Sequence, residues 1–102
     1  MRIQYLSHSA FLVEGSKTLL FDPFLTGNPK AKTSPYDLNP DYILVSHGHG
    51  DHFGDAIEIA RYSNATIISV NELALYCTRR GVNAHPMHIG GAHRFGNELT
   101  VK

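Results

Sequence analysis

Residues 42–55 read Tyr-Ile-Leu-Val-Ser-His-Gly-His-Gly-Asp-His-Phe-Gly-Asp, an apolar run that opens into ligand-type side chains spaced by glycine. Tyr42–Ser46 is apolar on both faces, as expected of a strand buried between layers. His47 and His49 are two residues apart, and on extended backbone such residues point to the same side. Imidazole nitrogen bonds a borderline metal at about 2.0–2.1 Å, so two imidazoles on one side can converge on one ion. Gly48 and Gly50 let the chain wrap closely around that point. Asp51 and His52 add an oxygen and a nitrogen donor, which a turn toward a helix at Asp55 would aim at a second point nearby. Structural zinc sites favour cysteine, so this mixed His/Asp set fits an open catalytic site better.

Outward from the cluster, the pattern is that of an α/β chain. Upstream, Arg2–Leu6, Ala10–Glu14 and Thr18–Phe21 read as three short strands of an antiparallel meander, with Gly15-Ser16 as a turn. Residues 22–41 hold four of the five prolines and read as a long irregular loop. Downstream, His47–Gly54 reads as a glycine-rich loop. Asp55 with Glu58 forms a capping-box pattern for a helix over Asp55–Tyr62. Ala65–Val70 is a second apolar strand. Asn71 is placed to cap a helix over Glu72–Arg80, closed by Gly81. Val82–His88 is extended, and Ala92–Phe95 and Glu98–Lys102 are strands around Gly96-Asn97, the last ending with no closing element. A cluster placed directly after a buried strand sits where open α/β sheets put their sites.

Composition narrows the function classes. Nine basic and nine acidic residues cancel, with no basic run to track a phosphate backbone or a charged membrane. No apolar run approaches the ~20 residues of a membrane span. The single cysteine, Cys77, forms no internal disulfide and falls within a helix pattern as a small apolar residue. With no signal peptide at Met1–Gln4, the expected location is cytoplasmic. The 102 residues suffice for one domain, 1–102.

His-x-His-x-Asp-His after an apolar strand resembles the signature of the metallo-β-lactamase superfamily. The segments His8-Ser9-Ala10-Phe11-Leu12, 22–29 (Asp-Pro-Phe-Leu-Thr-Gly-Asn-Pro) and Met87-x-Ile89-Gly90-Gly91 further resemble its UPF0173 branch, related to the UlaG-like lactonases. The resemblance implies the N-terminal half of an αββα four-layer fold, truncated at its C-terminal side. It implies a hydrolase of a small ester, lactone or phosphoester that uses a metal-bound hydroxide. His47 and His49 would hold the first of one or two divalent ions, and Asp51 and His52 the second, with Asp51 the catalytic carboxylate. Zinc is the first expectation, with manganese or iron as alternatives. Asp22 and His8 would stand behind the ligands or beside the substrate, Asp22 orienting a ligand histidine. Family members are longer and draw a third His, a bridging Asp and a last His from later segments. The chain would then need a complementing second half or a homo-oligomer. The rival functions are a non-catalytic metal-binding or assembly module and a nuclease of the same superfamily, though the neutral charge disfavours nucleic acid. His85 and His88, around Pro86, form a weaker alternative metal pair, and His93 reads as exposed strand or turn. Lys30 and Lys32 read as a solvated face.

Overall fold

The computed structural model describes residues 1–88 and 90–102; Ile89, part of the 87–91 motif, lies outside the described residues. Three antiparallel strands open the chain: β1 (Arg2–Ser7), β2 (Ala10–Glu14) and β3 (Thr18–Phe21). After the proline-rich loop, with its one 3-10 turn at Pro35–Asp37, comes β4 (Tyr42–Leu44). Next follow a four-residue helix α1 (Gly50–Phe53), helix α2 (Ala56–Ser63), β5 (Thr66–Ser69), helix α3 (Asn71–Arg79) and β6 (Asn83–Pro86). The strands form one sheet in the order β1-β2-β3-β4-β5-β6, with β3 through β6 parallel. The last strands, β7 (His93–Phe95) and β8 (Leu99–Val101), pair with each other as a separate hairpin rather than extending that sheet.

Register gives the sheet two unlike faces. Leu12, Leu20, Ile43 and Ile67 line up across β2 to β5 on one face. Leu20, Ile43 and Ile67 are fully buried in one core with Ala56, Ile59 and Ala60 of α2 and Cys77 of α3. Each large aliphatic buried there contributes about 1.5–3 kcal/mol. The opposite face carries Tyr5, Phe11, Phe21, Leu44 and Ile68 in one cross-strand row. The hairpin covers only part of it, through Phe95, whose ring lies 5.2 Å from Tyr42 and 4.9 Å from His85. Tyr5 remains 61% exposed and Ile3 64%.

Four sequence expectations are corrected. The segment 47–54 is not all loop, since α1 forms despite its glycine: His52 and Phe53 both donate to the His49 carbonyl, at 2.9 and 2.8 Å. The Asp55–Glu58 capping box does not form, because tertiary partners take both side chains. Asp55 accepts from the Thr26 amide at 2.8 Å, and Glu58 from the Tyr36 hydroxyl at 3.0 Å. Asn71 is the first helical residue of α3 rather than its cap; the extended Val70 holds that position, with no side-chain cap bond. The central strands are also shorter than expected, because the register with their neighbours ends at Leu44 and at Ser69.

Candidate metal centre

Strand direction brings the site together. β3 and β4 run parallel, so Asp22 and the segment Val45–His47 leave the sheet at the same edge. The Asp22 amide donates to the Leu44 carbonyl at 3.0 Å, extending the pairing one residue past β3. β2 runs antiparallel to β3 with Phe11 opposite Phe21, so the turn at Ser7–Ser9 lies at that edge too. Residues 22, 46–52 and 8 therefore meet, although up to 44 positions separate them.

A close backbone approach locks the loops. Gly54 has φ +45, and a Cβ there would strike the Pro23 carbonyl and lie 2.6 Å from the Phe24 Cα. Only glycine fits this contact. The Asp55 amide donates to the same Pro23 carbonyl at 3.0 Å, stitching the loop after β3 to the end of α1.

Asp22 is the hub of the hydrogen bonding. It is 7% exposed and sits at φ +39, a conformation Asp tolerates better than most residues. Its Oδ1 accepts from the Ser46 amide at 2.7 Å. Its Oδ2 accepts from the Ser46 hydroxyl at 2.7 Å and lies 2.9 Å from His52 Nδ1. The Ser46 hydroxyl, having given its proton to the carboxylate, accepts from His47 Nδ1 at 2.9 Å. One buried carboxylate thus holds the Nδ1–H of His52 directly and that of His47 through Ser46. In this tautomer Nε2 of each ring carries a free lone pair, as a metal ligand requires. Among the described residues, no buried side-chain polar atom lacks a partner.

The rings gather accordingly. His47 lies 4.1 Å from His52 and 4.8 Å from His49, between centroids. His52 Nε2 is 4.0 Å from Asp51 Oδ1, and His8 Nε2 is 3.5 Å from Asp51 Oδ2. Donor atoms of His8, Asp51 and His52 all lie within 4.8 Å of one another. Among the described residues, the donors close enough to share one ion are those of His8, Asp51 and His52, and this nitrogen-oxygen set suits a borderline divalent ion. Of the four motif residues, Asp51 and His52 share a donor group with His8, while His47 packs its ring between those of His49 and His52, and Asp22 supports His47 and His52. Sequence reasoning gave no role to Ser46; its hydroxyl directly before the first histidine was the available signal.

The remaining histidines are not among the grouped metal donors. His85 stacks on His93 at 4.2 Å between centroids, and burial, reinforced by His93, pushes its pKa below the ordinary value. His88 lines an open cleft of about 410 Å³ with Asp22, Ser46, Ser69 and Met87. Cys77 is buried, as expected, and burial raises its thiol pKa. Lys30 and Lys32 are exposed. Among the described residues, no helix is long and apolar enough to cross a membrane.

Known proteins resemble this chain in sequence and in fold. The family model described as "Metallo-beta-lactamase superfamily" matches residues 4–101. A UPF0173 metal-dependent hydrolase of Desulforamulus reducens is 61% identical over 99 residues, covering 94% of this chain and 42% of the relative. Another, from Carboxydothermus hydrogenoformans, is 59% identical and covers all of this chain and 45% of the relative. Among solved structures, Igni18, a metallo hydrolase from Ignicoccus hospitalis, superposes with a TM-score of 0.83 at 35% identity. That match covers 90% of this chain and 41% of Igni18. The chain thus spans less than half the length of these relatives. Its strand-end His/Asp cluster, its sheet and these matches agree: the chain belongs to the metallo-beta-lactamase superfamily.

Proposed function

We propose that these residues form the metal-binding front of a hydrolase acting on a small ester, lactone or phosphoester. The observation that carries the reading is the single network in which Asp22 frees Nε2 of both His47 and His52 beside Asp51. The names of the relatives, metal-dependent hydrolases, support the same class. His47 and His49 would hold one divalent ion, and Asp51 and His52 a second. Zinc is the first choice for this nitrogen-rich set, with manganese and iron behind it. A divalent ion there supplies Lewis acidity, polarising a carbonyl or phosphoryl oxygen and making water more acidic. The chain's own part is to fix the imidazoles. Asp22 and Ser46 hold them in one tautomer, and the Gly54 contact keeps the two loops in register.

Donors that complete the coordination would come from polypeptide beyond these 102 residues or from a second copy. The small-molecule substrate would approach at the open cleft beside Ser46 and His88. A cytoplasmic location suits a chain whose one cysteine is a buried free thiol. The test is hydrolysis by the intact protein across a panel of esters, lactones and phosphoesters with zinc or manganese added. Loss of turnover in a folded His49→Ala variant supports the reading. Turnover equal to the parent's would sink it.

A further inference from the structure

We propose that His8 is itself a metal ligand, closing a three-donor site with Asp51 and His52; the inference rests on the metal-dependent reading above. The turn that carries it is strained. Ser7 and His8 sit at φ +129 and +54, a region non-glycine residues adopt at about 1–3 kcal/mol each. The conformation is held from outside: the Tyr5 hydroxyl donates to the His8 carbonyl at 2.8 Å, and the ladder shifts register between Tyr5 and Ser7. The imidazole is braced edge-on against Phe24, at 5.8 Å, and against His52, at 5.0 Å.

The distances are those of co-ligands rather than of a hydrogen-bonded pair. His8 Nε2 lies 3.5 Å from Asp51 Oδ2, beyond the ~2.7–3.2 Å of an N–H···O bond. Two donors about 2.1 Å from one tetrahedral ion are about 3.4 Å apart. His52 has only Nε2 to offer, since Nδ1 faces Asp22, and that atom lies 4.0 Å from the other Asp51 oxygen. The side chains of His8 and Asp51 are 40% and 51% exposed, so both can rotate to close the remaining distance without disturbing the core.

The test is cobalt titration of the intact protein, its His8→Asn and His8→Cys variants, and the His47→Ala/His49→Ala double variant. Asn tolerates left-handed backbone, which protects the fold. We expect His8→Asn to keep one cobalt ion and bind the other roughly tenfold or more weakly. We expect His8→Cys to show a near-ultraviolet thiolate-to-cobalt absorption absent from the parent, whose own Cys77 is buried. No such band at saturating cobalt overturns the assignment, whatever the His8→Asn affinity. Failure of the underlying reading looks different: a parent that takes up no cobalt at all removes the site, and this inference with it, whereas the double variant should keep the ion held by His8, Asp51 and His52.

Discussion

Asp22 Oδ2 lies 2.9 Å from His52 Nδ1, and the same oxygen accepts from the hydroxyl of Ser46, which in turn holds His47. A carboxylate at the end of one strand thereby sets the tautomer of two imidazoles that follow the next. Asp22→Asn keeps an acceptor for the Ser46 amide and suits the left-handed backbone. It puts a donating NH2 in place of Oδ2, so the His52 N–H and the Ser46 hydroxyl lose their acceptor. We predict a folded variant with metal affinity reduced about 10–100-fold, read by chelator competition.

Ser46→Ala removes the hydroxyl that links Asp22 to His47 and leaves the direct Asp22–His52 contact in place. Metal affinity should fall by less than in Asp22→Asn, and the loss should be confined to one of the two ions. Separate binding isotherms for the two variants check this ordering.

Gly54→Ala places a methyl group against the backbone of Pro23 and Phe24 at positive φ. Neither neighbour is a side chain that can turn aside. We predict a destabilisation of about 2–4 kcal/mol, measured by urea unfolding, with metal binding lost at temperatures where the parent still binds.

His85 gives the fold a pH dependence. Its folded pKa is pushed below 6.5 by burial and then by His93. Below 6.5 the unfolded chain takes up this proton before the folded chain does, so stability falls as the pH drops through that window. Above 6.5 both states hold the ring neutral and the effect vanishes. His85→Phe, which can stack on Phe95, should flatten the melting temperature across that range; an unchanged slope would refute the assignment.

The uncovered sheet face makes a further prediction. Ile3, Tyr5 and Phe11 are exposed on the face opposite the helices. The 102 residues alone should self-associate through it, and Tyr5→Lys with Phe11→Thr should reduce that association in sedimentation. A parent chain that is monomeric at all concentrations would contradict this.

Much of the site was legible because its information is local. The histidines, Asp51 and their glycines sit within six residues after an apolar strand, and short strand-like runs with tight links marked the opening meander. The helix caps misled because local motifs compete with distant partners: Asp55 turns to the Thr26 amide, 29 residues away. His8 was brought to the site by the family resemblance alone, since its position depends on β2 running antiparallel to β3 and on the turn before it. Ser46 was missed for a related reason. Its partner Asp22 lies 24 residues earlier, and only strand pairing brings them together.

Elemental analysis of the purified intact protein, beside its His47→Ala/His49→Ala variant, decides whether residues 47–52 bind metal. Stoichiometric divalent metal is expected in the parent, with a clear loss in a folded variant. Equal metal content in the two, or none in the parent after incubation with zinc or manganese, would contradict it.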